Sequence, residues 1–117
     1  MRKFALMFRM DSTSKDANPS KAQMEVYMGQ WTKWIDYISE KGQLAEGGNH
    51  FGPQGKVVRP HHIQEGFYEV NHEYVAGYII VMGKDMLEAV ALARECPILN
   101  GEGTSIEIRE IVPPGNV

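Results

Sequence analysis

Four histidines, one cysteine and a set of carboxylates are the residues of this chain with the chemistry to move protons or hold a metal. Glu65 follows "RPHHIQ" and precedes Gly66, so a carboxylate stands close in sequence to His61 and His62. A carboxylate fixes the tautomer of a neighbouring imidazole and raises its basicity, which is the arrangement general acid-base catalysis uses. If the piece is extended, alternation sends His62 and Gln64 to one side and His61, Ile63 and Glu65 to the other. His61 and Glu65 are then too far apart along a straight strand, and cooperation needs a bend at Gly66 or another histidine. His50, in the glycine-rich "GGNHFGP", is that other histidine, since rigid elements often hold functional loops of this kind. The commoner fate of such residues is a solvated turn acid and a loop histidine bonded to backbone. His72, among polar residues in "EVNHEY", reads as exposed.

A metal site is not expected. There is no His-x-x-x-His helix and no Cys-x-x-Cys pair, and the adjacent His61 and His62 point to opposite sides of an extended chain. Cys96, before Pro97 at a helix end, is far from the positive helix pole that activates thiols and reads as a small core residue. No Gly-x-Gly-x-x-Gly follows a strand and no phosphate loop is present, so no cofactor is expected. Trp31, Trp34 and Tyr78 are candidates for the apolar wall of a pocket, which with one acid and one histidine would suit a small aromatic or unsaturated acid.

The elements that must position these residues follow from periodicity. In "RKFALMFRM" Phe4, Leu6, Phe8 and Met10 share one face of a strand, with Ala5, Met7 and Arg9 on the other. The apolar run is broken by Arg9 and precedes no small-residue cleavage site, so it reads as a strand and not a signal peptide. The polar "DSTSKDANPS" has no period, and Asn18-Pro19 is expected to cap a helix over 19–41. Met24, Tyr27, Met28, Trp31, Trp34, Ile35 and Ile38 give that helix its apolar stripe, and Gly42 its left-handed stop. Short strands are expected near 44–48 and 56–59, with a turn at 52–55. In "YVAGYIIVM" Val75, Gly77, Ile79 and Val81 oppose Ala76, Tyr78, Ile80 and Met82. Asp85 and Glu88 have capping-box spacing for a second helix with Leu87, Val90, Ala91 and Leu92 on its core side, ended by Pro97. "GTSIEIREIV" is a last strand with Ile106 and Ile108 inward, and "PPGNV" a frayed tail.

The order predicts an α+β, ferredoxin-like β-α-β-β-α-β protomer in a single domain, 1–117. Two helices cover one face of an antiparallel sheet and leave the other apolar face open, which predicts a homodimer that packs sheet against sheet. With 12 Lys and Arg against 15 Asp and Glu and no basic stripe, nucleic acid is not an expected direct partner. A membrane helix is excluded because no apolar run approaches about 20 residues. The lone cysteine points to a reducing, cytoplasmic setting.

The stretches "MGQWTKWIDYISEKGQLAEGG", "EGFYEVNHEYVAGYIIV" and "LEAVALARECPILNGEGTSIEIREI" together resemble the YCII-related family, in the branch with an Asp-Gly-Pro-Phe turn. The Trp-x-x-Trp helix ending in Lys-Gly, the Val-x-Gly-Tyr strand and the Cys-Pro before a glycine-rich turn carry the resemblance, which covers nearly the whole chain. It implies a dimeric α+β barrel. It also implies a role for the turn acid, although this chain has Glu65, Gly66, Phe67 and Tyr68 there, with no proline and a carboxylate one methylene longer. Some relatives are suspected His/Asp enzymes and some resemble muconolactone-processing proteins. The reading is a small dimeric protein that binds an organic ligand and transfers protons without a cofactor, with Glu65 as acid or base, His50 or His62 its partner, and Trp31, Trp34 and Tyr78 as wall. A non-catalytic dimeric sensing or protein-interaction module is the alternative.

Overall fold

Alternation along the first strand is borne out residue by residue. In the computed structural model, which describes residues 1–14 and 18–115, strand β1 spans Arg2–Asp11. Phe4, Leu6 and Phe8 are almost wholly buried while Ala5, Met7 and Arg9 stay half exposed. Strand β1 is central in a four-stranded antiparallel sheet of order β2-β5-β1-β6, with β2 Leu44–His50, β5 Glu73–Gly83 and β6 Thr104–Ile111. Two helices, α1 Lys21–Glu40 and α2 Met86–Arg94, lie over the face that carries Phe4, Leu6, Phe8, Ile79 and Val81. The unpatterned polar stretch before α1 and the expected frayed tail include 15–17 and 116–117, which lie outside the described residues.

Helix α1 begins later than the Asn18-Pro19 signal suggests. Ser20 is the cap: its Oγ accepts from the Gln23 backbone N–H at 3.1 Å, and Gln23 Oε1 accepts from the Ser20 N–H at 2.8 Å. This reciprocal box satisfies two otherwise orphaned donors, which a proline start cannot do. The far end is as expected, with Gly42 at φ +71° and Gln43 N–H donating to Ile38 O at 3.1 Å. Trp31, Trp34 and Ile38 are buried, but Met24 and Met28 are about two-fifths exposed.

Helix α2 is rotated from its expected phase. Ala89, Leu92 and Ala93 face the core, while Leu87 is 79% exposed and Ala91 is exposed. Asp85 caps the helix through the Glu88 N–H at 3.0 Å. The Glu88 carboxylate accepts from Gln43 Nε2 at 2.8 Å and the Lys84 N–H at 3.2 Å. Gln43, 4% exposed, donates also to Met82 O at 3.0 Å. Turning Glu88 toward this buried amide leaves small alanines against the sheet and sends Leu87 outward. A 3-10 turn, Pro97–Asn100, follows α2.

The segment expected to give a strand over 56–59 makes a separate hairpin, β3 Lys56–Val58 with β4 Ile63–Glu65. It is an arm between β2 and β5. Every residue from 58 to 73 is exposed. The chain measures 45 × 42 × 19 Å with a radius of gyration of 15.6 Å, against about 13 Å for a compact domain of this length. It is a two-layer slab with a lateral extension.

The sheet face away from the helices carries Ala5, Met7, Ile80 and Met82, half exposed, beside an ion cluster. Arg9 donates to Glu107 at 2.6 Å and Arg109 lies 3.5 Å from the same carboxylate. The Arg9 hydrogen bond holds Glu107 below its usual 4.5. A depressed folded-state pKa contributes stability above the unfolded value and loses it as pH falls through the folded one. Glu107→Gln should therefore cost at most about 1 kcal/mol at neutral pH, because solvent screens the cluster. Melting curves of the two proteins should converge below the carboxylate range, and a gap that persists in strong acid would contradict this role.

Candidate functional site

A groove opens where the N-terminal half of α1 crosses the ends of β1, β2 and β5. It is lined by Phe8 and Met10 of β1, Met24, Tyr27, Met28 and Trp31 of α1, Tyr74 and Ala76 of β5, and Pro97 and Ile98 after α2. The volume is about 550 Å³, the size of an ordinary small-molecule pocket. None of the described residues lining it is an Asp, Glu, Lys or Arg. The polar groups are Gln23, Gln30, His50, Asn100 and Thr104. Thr104 Oγ1 is committed to the 3-10 turn, whose Ile98 O and Gly101 O lie 2.8 and 2.9 Å away.

His50 owes its place to two glycines. Strand β2 slips register twice against β5, and Gly48 takes φ +68° in the second irregular stretch, which brings His50 opposite Gly77. A Cβ on Gly77 would lie 2.6 Å from Asn49 O and 3.2 Å from His50 Cα. Only glycine lets the two backbones approach this closely. The imidazole then rests 5.5 Å from the Trp31 ring, and Trp31 is flanked by Phe8 at 5.1 Å and Tyr27 at 6.1 Å. Burial pushes the Tyr27 hydroxyl up to about 12, helped by the nearby Cys96. Tyr27 is therefore a neutral hydrogen-bond donor across the neutral range, and His50 is the one imidazole among the described groove residues.

The structure brings His50 and Trp31 together and sets the other named residues apart. Glu65 stands on the arm, 79% exposed, with Lys56 Nζ 3.0 Å from its carboxylate. His62 is at the tip of the same hairpin, its carbonyl accepting from the Arg59 N–H at 2.8 Å to close the turn. Trp34 lies in the core, with Nε1–H donating to Leu92 O at 3.0 Å. It also borders a trough of about 910 Å³ between the helices. There the exposed Lys33, Lys41, Arg94 and Glu95 side chains share the lining with Tyr37, Leu92, Pro97 and Leu99. Tyr78 points to the open sheet face, where its hydroxyl donates to Glu46 at 3.1 Å and accepts from Asn49 at 3.3 Å.

Phe8, Tyr27 and Tyr74 are the aromatic residues lining the groove that the sequence did not single out as wall. A bulge explains Tyr74: β1 pairs Phe8 with Gly77 but Arg9 with Val75, so Ala76 is extra. Beyond it the parity of β5 is reversed, and Tyr74, opposite Met10, turns to the helix side while Tyr78 stays on the other. A glycine within a strand was the available signal.

Cys96 is 2% exposed and burial raises its thiol to about 12, as expected of a core residue and not a nucleophile. Among the described residues no three His, Cys, Asp or Glu side chains converge as a ligand set, and no helix is long and apolar enough to cross a membrane. In comparisons with known proteins, no family model and no curated sequence matches this chain.

Proposed function

We propose that the groove beside α1 binds a small, planar organic molecule such as an aromatic or unsaturated acid, and that His50 transfers a proton on it without a cofactor. The observation that carries this is the lining: a 550 Å³ apolar groove whose one imidazole lies against Trp31. An apolar wall contributes affinity, and one placed polar group contributes orientation. The resemblance to the YCII-related family supports the same reading, as does the strand order β2-β5-β1-β6 with helices after β1 and β5, which a ferredoxin-like protomer requires. The half-exposed sheet face supports pairing with a second copy, sheet against sheet, in a dimeric α+β barrel. A cytoplasmic setting suits a chain whose one thiol is unpaired and buried.

A non-catalytic sensing module is the second reading. It is favoured by the placement of Glu65, tied to Lys56 on the arm, which leaves His50 without a carboxylate partner among the described groove residues. Trp31 emission separates the cases when benzoate, cinnamate and short unsaturated acids are titrated in. The wild-type protein should bind a member of this set, and His50→Gln should bind it roughly tenfold more weakly through loss of one hydrogen bond. Turnover that His50→Gln abolishes establishes the enzyme; binding without consumption establishes the sensor. If no member of the set changes Trp31 emission, the groove is not the site.

A further inference from the structure

The hairpin arm presents a physical problem that the protomer does not solve. An isolated two-stranded ribbon is marginal in water and needs a third strand or a packed face. Here three residue pairs, Lys56–Glu65, Val57–Gln64 and Val58–Ile63, form a sheet of their own. The cross-strand pair Val58 and Ile63 is 79% and 60% exposed. The root of the arm is nevertheless firmly built. Asn71 and His72 take φ +52° and +66° in a tight turn that closes Val70 on Glu73 through two backbone bonds of 3.0 and 2.9 Å. Ser12 holds this turn from β1, its N–H donating to His72 O at 2.8 Å and its hydroxyl to Glu69 at 2.6 Å. Phe67 stacks on Tyr74 at 4.9 Å. A root fixed at so many points holds the ribbon in one direction, as a docking element needs, and does not suit a lid that must swing.

We infer that the arm, residues 51–68, is the second half of the dimer interface: it clasps a second copy of this chain, which covers Val58 and Ile63. This rests on the sheet-face pairing proposed above. The slab is only 19 Å thick, which a helix layer on a sheet already fills. The arm therefore continues the slab sideways, and a copy that faces the sheet also faces the arm. Area points the same way. Four strands of about nine residues offer a footprint of roughly 600 Å², part of it charged, short of the roughly 800 Å² per partner in a standard interface. Charge agrees as well. Residues 51–68 hold two bases, Lys56 and Arg59, one acid, Glu65, and two histidines, whereas the rest of the chain holds ten bases and fourteen acids. Lys56 and Glu65 cancel within the arm, and the one surplus base, Arg59, on a body with four surplus acids is complementary to another copy of that body.

Sedimentation equilibrium of the full chain at micromolar concentration tests this with two variants, Val58→Lys/Ile63→Lys on the arm and Ile80→Lys on the sheet face. All these side chains are exposed or half exposed in the protomer, so circular dichroism should be unchanged. The expected result is a wild-type dimer whose dissociation constant rises at least about 100-fold in the arm variant, from two lost apolar contacts and two added charges. A dimer that Ile80→Lys dissociates but the arm variant leaves intact overturns the clasp and keeps the sheet pairing. A wild-type monomer, or a dimer indifferent to both variants, overturns both. Each result leaves the ligand groove to its own titration.

Discussion

Trp34→Ala should lower the unfolding free energy by about 3–5 kcal/mol, the range for truncating a large aromatic side chain in a packed core. Trp34 is 4% exposed and packs edge-on against Phe8 at 6.2 Å and Trp31 at 5.2 Å. It also joins the helices, because its indole N–H donates to the Leu92 carbonyl of α2 at 3.0 Å. That carbonyl keeps a second partner, the Glu95 N–H at 3.3 Å. The loss is therefore chiefly packing and not an orphaned acceptor, and Trp34→Phe should recover more than half of it. Urea unfolding followed by far-ultraviolet circular dichroism measures both variants. A cost below about 1.5 kcal/mol for the alanine, outside the usual range for buried aromatics, would mean that α1 does not pack on the sheet through this residue. Trp31, by contrast, lines the groove as well as the core, so its truncation would alter the groove together with the stability.

The elements were legible where one periodicity ran unbroken. The faces of β1 and the stripe of α1 follow from spacing alone, and the capping residue Asp85 from its distance to Glu88. What was not legible depends on contacts between segments distant in sequence. The phase of α2 is set by Glu88 meeting Gln43, 45 residues away, and no count of apolar residues in "MLEAVALAR" contains that contact. The reversal of faces along β5 comes from one extra residue, Ala76, opposite β1, so Tyr74 lies on the helix side although strict alternation puts it on the same face as Tyr78. Proximity in sequence misled in the arm, where the hairpin pairs Glu65 with Lys56 across the ribbon and not with the histidines before it. His50 was legible as a residue of a glycine-rich segment beside a cleft. Its contact with Trp31 needed the geometry of β2.

That geometry makes the second large effect a matter of one hydrogen atom. Gly48→Ala should destabilise the protein by at least about 2 kcal/mol, as strain at a special backbone position does. The new Cβ would lie 1.7 Å from Tyr78 O and 2.9 Å from Ile79 Cα, both backbone atoms of a central strand that cannot give way, and φ +68° is a conformation that alanine resists. Relief requires β2 to peel from β5, which draws His50 away from Gly77 and from the Trp31 ring. The neighbouring Gly47 is the control, since a Cβ there meets nothing within 4 Å and its φ is not in the left-handed region. Gly47→Ala should be neutral or stabilising by up to about 1 kcal/mol, because it only restricts the unfolded chain. Thermal unfolding compares the two alanines, and the groove titration asks whether Gly48→Ala weakens the proposed binding as His50→Gln is expected to. Equal stabilities for the two variants would show that β2 does not approach β5 at this point, and the placement of His50 in the groove would fall with it.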